Sequence, residues 1–407
     1  MVMVRPFHAL QPTKEGVSQV VAVPYDVVNT EEARILAEGK PWSYLHISRP
    51  EIDLAPGTDL YSDEVYQKGL ANFRLIQAQA PLIQEQNPAL YIYRLRMDEH
   101  TQIGVVGCCA VDEYDNDIIR KHERTRKDKE DDRTRHTITL RAQTGPVFLT
   151  YRGQEEINSL VNTIVASEPH FDFVAPDGVA HTVWKIANPN EFVKAFESVP
   201  LLYVADGHHR SASASRARQA LKAENPSHNG TEEYNYFLSV MFPADQLRIL
   251  PYNRVVKDLN NLSETDFVAA IEKEFTISTN APATPVNKGE FSMYINKQWY
   301  GLTPKEAIDP TNVIASLDVS ILQDKLLSPM LGIQDPRTDK RVDFVGGIRG
   351  TKELEQLVNN GKVAVAFSLY PTTLDDLMNI ADAGEIMPPK STWFEPKLRS
   401  GMLVHLI

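Results

Sequence analysis

The stretch Leu201-Leu-Tyr-Val-Ala-Asp-Gly-His-His-Arg-Ser211, with the Ala- and Ser-rich run after it, decides how the chain is read. Leu201 to Ala205 is a short, continuous apolar run, the pattern of a buried strand. Asp206-Gly207 breaks that run with a turn pair. From His208, the residues Ser211, Ala212, Ala214, Ala217, Ala220 and Leu221 make a good helix, with arginines at 210, 216 and 218. A glycine between Asp206 and His208 predicts a positive φ or a close approach to the backbone. A helix N-terminus presents unpaired N–H groups and the positive end of the macrodipole, so it attracts phosphate. His208, His209 and Arg210 would add donors for the same anion. The same residues also read as an Asp N-cap with a polar first turn. Local geometry leaves both readings open.

Around that element the chain is long and of ordinary composition. At 407 residues it exceeds one typical core, which predicts two domains. The apolar fraction of 42% and charged fraction of 24% are those of a globular protein. A formal charge of −12 tells against broad binding to nucleic acid or to an anionic membrane, while leaving room for a local basic pocket. The two cysteines, Cys108 and Cys109, are adjacent in an apolar run. Neighbouring strand residues point to opposite faces, so the pair suits neither a disulfide nor a metal. Buried, inert thiols fit a reducing cytoplasm. Met1 to Arg5 is too short for a signal peptide, and no apolar run reaches membrane-spanning length.

In chain order, Val20 to Val23 reads as a strand stopped by Pro24-Tyr25-Asp26, which places Asp26 on a loop at the strand's end, where function often sits; in the other reading Asp26 or Asn29-Thr30 caps a helix beginning near Glu31. Trp42 to Ile47 reads as a strand and Tyr61 to Gln77 as a helix. Leu90 to Met97 and Ile103 to Val111 form a β-hairpin. The most polar stretch follows. From Arg120 to Arg141 there are nine Lys or Arg and five Asp or Glu, a local excess of four positive charges in an acidic protein. Such a run forms a solvated helix face laced with i,i+4 pairs, Glu123 with Lys127 for instance. In the other reading, His122-Glu123-Arg124-Thr125 is a site at its entrance and the cations neutralise an anionic ligand. Strand, helix and hairpin patterns recur between residues 258 and 407, predicting a second α/β unit there after a first domain over 1–257. Its last box, Met387-Pro-Pro-Lys-Ser-Thr-Trp-Phe-Glu-Pro-Lys397, ends a phosphate loop only superficially, because the preceding glycines are missing.

Four ordered boxes, Pro24-Tyr25-Asp26-Val27, His122-Glu123-Arg124-Thr125, Asp206-Gly207-His208-His209-Arg210 and Met387-Pro-Pro-Lys-Ser-Thr392, together resemble a family of prokaryotic proteins of about this length. Through the Asp-Gly-His-His-Arg box that family is related to the ParB/sulfiredoxin-like fold, whose members with this box include free L-serine kinases using ADP or ATP. The resemblance implies a mixed α/β, nucleotide-binding first domain with insertions. In those kinases a glutamate of an upstream His-Glu pair is the base and the box binds nucleotide phosphates. Carried over, Glu123 matches the base and Asp206, Gly207, His208, His209 and Arg210 match the phosphate box. About eighty residues separate the two motifs here, more than in the small kinases, so an inserted subdomain is expected.

The chemistry agrees in outline. Phosphoryl transfer needs charge neutralisation, alignment and an acceptor for the hydroxyl proton. Arg210 and the histidines would face the phosphates, Mg²⁺ would bridge them, and Asp206 would hold that metal directly or through water. Glu123 would be the base, with His122, Arg124 and Thr125 near the substrate. Adjacent His208 and His209 diverge by about 100° on a helix, which tells against a shared zinc. The expected partners are a nucleotide and a small hydroxylated metabolite, serine first. A nucleotide-binding regulator or DNA-associated module stays open, since fold does not fix function.

Overall fold

The structure, a computed structural model, describes residues 2–407. The chain divides into two compact units, Met1–Leu247 with Pro396–Ile407, and Arg248–Glu395. The cut expected at 257/258 therefore lies inside the second unit, and the closing segment belongs to the first. The reason is pairing that no local pattern announces: Leu10 bridges Val404, Ala22 bridges Ser400, and His405–Leu406 pairs with Ala142–Gln143.

The first unit is built on a nine-stranded mixed sheet. Its strands are β1 (Val4–Arg5), β2 (Tyr91–Met97), β3 (His100–Ala110), β4 (Ile119–Arg120), β5 (Val147–Tyr151), β6 (Phe171–Val174), β7 (Ala180–Lys185), β8 (Leu202–Asp206) and β9 (Tyr236–Pro243). They lie in the order β4-β8-β5-β9-β3-β2-β7-β6, with β1 beside β3. Only β4–β8 and β5–β9 are parallel pairs. The central strand β5, Val-Phe-Leu-Thr-Tyr, is buried at every position, as a strand covered on both faces must be. Cys108 and Cys109 on β3 are free and buried, as expected. Two helices matter for the site: α1 (Lys127–Leu140) and α2 (His208–Glu224), which pack against each other.

The second unit carries a six-stranded, wholly antiparallel sheet in the order Phe275–Thr279, Gln298–Pro304, Phe291–Ile295, Val365–Leu369, Tyr252–Val256, Val342–Gly346. The hairpin expected at Asn296-Lys297 is present, and both residues take positive φ, 53° and 61°, as a two-residue hairpin turn demands.

Two expected strands are absent. Val17–Val20 is a helical turn and only Ala22 bridges another chain segment, while Leu45–Ser48 is helical. The β-branched and aromatic residues there are spent on a satellite core with Val20, Tyr44, Leu45 and Ile47, so burial without a neighbouring strand overrides propensity.

The basic run also departs from expectation. Its helix α1 has a polar inner stripe, with Asp132, His136 and Leu140 buried at i,i+4 spacing. Asp132 accepts from the Tyr66 hydroxyl at 2.8 Å, and His136 Nε2 meets the Ile47 carbonyl at 2.9 Å. Lys127 pairs with Asp131 at 2.7 Å, not with Glu123. The solvated-face reading holds for the outer side, where Lys127 and Asp131 form an exposed i,i+4 pair, and misses the inner side, where partners distant in sequence satisfy the buried Asp132 and His136.

Candidate functional site

Strand β8 slips register against β5 between Val204 and Asp206, and the chain then turns at Gly207. Gly207 has φ 104° and ψ 28°, the left-handed conformation its position predicted. A Cβ there would sit 3.3 Å from Arg210 Cζ and Nε, a tight contact that this side chain would have to relieve by shifting. Helix α2 starts at once. Its first backbone bond runs from Ser211 N–H to the Gly207 carbonyl at 2.9 Å, and the N–H groups of His208, His209 and Arg210 precede it without helical acceptors.

Asp206, at the strand end, sits between two cations. Lys397 Nζ donates to its Oδ2 at 2.7 Å, and Arg210 lies 3.5 Å from its Oδ1. Burial works to raise the Asp206 carboxyl, but the Lys397 ammonium and the Arg210 guanidinium together hold it well below the usual carboxylate range. Arg210 is a hub. It donates to the Pro146 carbonyl and lies 3.5 Å from a second carboxylate, Asp26 Oδ2. Burial opposes its charge, while Asp26 and Asp206 outweigh burial and raise its pKa. Asp26 is therefore no helix cap: Asn29 caps the next helix through a capping box with Glu32.

For magnesium, Asp206 is a carboxylate whose charge is already matched on both oxygens. Among the described residues no group of three or more His, Cys, Asp or Glu is placed to hold a metal ion. The residues present form no protein cage, and an ion here would depend on phosphate oxygens for most of its ligands.

The two histidines opening α2 grip the loop that precedes α1. The His122 N–H points to His208 Nε2 at 3.5 Å, and the Arg126 N–H donates to His209 Nε2 at 3.1 Å. Both rings accept at Nε2, so each keeps its proton on Nδ1. His208 Nδ1 is 3.7 Å from Glu123 Oε2, and the Glu123 side chain is 47% exposed. The rings of His122 and His208 meet edge to face, 4.4 Å between centroids. Neither ring nitrogen of His122 has a hydrogen-bond partner; the Val204 carbonyl acts on its charge without meeting hydrogen-bond geometry. Burial pushes His122 down to about 4, and lowers His208 and His209 as well.

The structure thus brings Glu123, His122, Asp206, Gly207, His208, His209 and Arg210 into one cluster across the expected sequence gap. Thr125 turns the other way, its hydroxyl bonding Glu130 on α1, and Arg124 is exposed. Two residues that sequence reasoning did not assign to the site, Asp26 and Lys397, complete the charge network. The signal for both was present: each lies in a box that the resemblance carries, Pro24-Tyr25-Asp26-Val27 and the stretch ending at Lys397.

No helix among the described residues is long and apolar enough to cross a membrane. No curated protein matches the chain. Solved structures similar to it include a free serine kinase in complex with AMP, 13% identical with a TM-score of 0.36, over 72% of this chain and 86% of that one. Another is SbnI with a C-terminal truncation from Staphylococcus aureus, 11% identical with a TM-score of 0.39, over 74% of this chain and 87% of that one. A conserved hypothetical protein from Pyrococcus furiosus is 13% identical with a TM-score of 0.35, over 74% and 95%. Residues 4–320 match the family described as Protein of unknown function (DUF1015), and the chain belongs to that family.

Proposed function

We propose that the first unit is a ParB/sulfiredoxin-like catalytic domain. It would transfer a phosphoryl group from ATP or ADP to a small hydroxylated metabolite, free L-serine first among them. One observation carries the reading: Glu123 lies 3.7 Å from the opening residue of the helix whose start is the phosphate box, although the two motifs are far apart in sequence. A half-exposed carboxylate beside a cluster of N–H donors and cations is the pairing that phosphoryl transfer requires.

In this reading the nucleotide phosphates lie at the start of α2, on the N–H groups of residues 208–210, with Arg210 and Lys397 supplying positive charge. Arg210 is held in place by Asp26, Asp206 and the Pro146 carbonyl, so it is pre-oriented before any ligand arrives. The histidine rings serve chiefly as acceptors that fix the 122–126 loop, and His208 holds Glu123 in reach. Glu123 takes the hydroxyl proton of the acceptor as the phosphoryl group moves to its oxygen. Magnesium would accompany the nucleotide, neutralising phosphate charge, with Asp206 meeting it through water. Arg124, exposed at the loop, would meet an acceptor's anionic group.

The test is a screen of hydroxylated metabolites against several nucleotides with Mg²⁺, read by product analysis. Phosphoserine, or another phosphorylated metabolite, is the expected product. Nucleotide binding without any phosphorylated product would replace this reading with the alternative, a nucleotide-binding regulatory or DNA-associated ParB-like protein.

A further inference from the structure

Arg210, the hub of the cluster just described, also lines a cavity of about 40 Å³ whose other walls lie beyond that cluster. That is room for about three water-sized groups, far too little for a nucleoside. Its wall includes Tyr25, Ser48, Arg133, His136, Arg210 and Ser213, and contains no Asp or Glu at all. In a chain of formal charge −12, a wall with two guanidinium groups and no carboxylate is a selective environment.

Three polar atoms of that wall are buried without a hydrogen-bond partner: Ser48 Oγ, Ser213 Oγ and Arg210 Nε. Ser48 is 2% exposed and Ser213 1%. Buried groups of this kind carry a desolvation penalty unless something pairs with them. Arg133 is held rigidly from behind. Asp132 pairs with it at 2.8 Å, and its guanidinium lies 4.2 Å from the Tyr25 ring centroid. Tyr25 is half-buried, and desolvation together with the neighbouring Asp26 raises its phenol, so it stays a donor. The wall is thus rich in donors, and the carboxylates that balance the arginines stand outside it.

We propose that this cavity binds a small oxyanion, a carboxylate or an inorganic phosphate group, between Arg133 and Arg210, with the Ser48 and Ser213 hydroxyls donating to it. Two guanidinium groups and two hydroxyls match an ion that only accepts hydrogen bonds. The cavity admits the head of such a ligand and excludes its bulk. The site stands without the phosphoryl-transfer reading; within that reading it offers the acceptor a second anchor.

The experiment titrates the full chain with inorganic phosphate, acetate and L-serine by calorimetry, against potassium chloride at matched ionic strength. The same titrations are made on the S48A/S213A double variant, and both proteins are titrated with ADP. Removing hydroxyls that lack protein partners should leave melting unchanged or slightly raised without ligand. The wild type should bind one class of oxyanion, phosphate or the carboxylates, and the double variant should bind it about tenfold more weakly or worse. ADP affinity should be alike in both. No oxyanion binding beyond the chloride control would overturn the proposal. So would equal affinity in the double variant, or a parallel loss of ADP, which would make the cavity part of the nucleotide site. The outcome does not depend on whether phosphoserine is ever formed.

Discussion

Lys390 and Lys397 belong to one box in the sequence and to different units in the structure. Lys397 donates to Asp206 at 2.7 Å and is 18% exposed. Lys390, with a positive φ of 55°, sets its ammonium 5.3 Å from the ring centroid of Tyr252. The polar groups around Lys390 are satisfied locally: Ser391 Oγ bonds the Pro388 carbonyl, and Thr372 bonds the Ser391 carbonyl. The contrast teaches that a cation's role follows from the counter-charge it meets, and proximity in sequence to another box confers nothing.

The sharpest way to break that contrast is at Glu123, the proposed base in the first unit. Glu123→Gln keeps size and hydrogen bonding but removes the proton acceptor. Transfer should fall by about 10²- to 10⁴-fold, the range of a lost general base, with nucleotide affinity little changed. Near-wild-type turnover in the Gln variant would return Glu123 to a surface role.

Next in size is Lys397→Met. It keeps the aliphatic stem and removes the charge that Asp206 meets. Nucleotide affinity should drop by roughly tenfold, the value of about 1.4 kcal/mol for a charge-assisted contact. The Asp206 carboxyl should titrate at higher pH, followed by carbon NMR. An Asp206 titration identical to wild type would show that Lys397 does not set its charge.

A pH dependence follows from the histidine clamp. Burial pushes His122 from 6.5 to about 4, and it also lowers His209, whose other neighbours are Asp26, Glu130, Asp128 and Arg126. The folded state therefore binds fewer protons than the unfolded one. The stabilisation is complete above 6.5 and is lost as pH falls from 6.5 through about 4. Protonating His209 Nε2 also removes the acceptor for the Arg126 N–H, so protection of that amide against hydrogen exchange should fall as pH drops below 6.5. A protection factor constant over that range would contradict the clamp.

The smallest effect is expected for Lys390→Ala. A partly solvated cation–π contact is worth about 0.5–1 kcal/mol, so melting should shift slightly and nucleotide binding not at all. A loss of nucleotide affinity as large as that of Lys397→Met would dissolve the distinction between the two lysines.

The element at the centre of the site was legible because its signals are local. An apolar run, a glycine and an alanine-rich stretch each dictate their own geometry, and Gly207 adopts the conformation its neighbours imply. The hairpin at Asn296-Lys297 was legible for the same reason. Asp26 was not, since Asp and Asn both cap helices and only the reciprocal bond between Asn29 and Glu32 decides which one does. Asp132 and His136 looked solvent-facing because the partners that let them be buried, Tyr66 and Ile47, lie far away in sequence. Lys397 was hidden by the bridges from Leu10 and Ala22 to the closing segment, which join regions that no window of sequence spans.

That closing segment also sets a timetable. A ribosome adding about 5–20 residues per second needs on the order of 10 s to pass from Arg248 to Glu395. Throughout that interval the box at Asp206 has already emerged, while Lys397 and the bridging residues Ser400 and Val404 do not yet exist. Asp206 then has Arg210 as its near cation and lacks the second. A nascent chain arrested inside the second unit therefore carries the Asp206 to Arg210 turn without its full charge balance, which is completed only once the segment from Pro396 onward has been added.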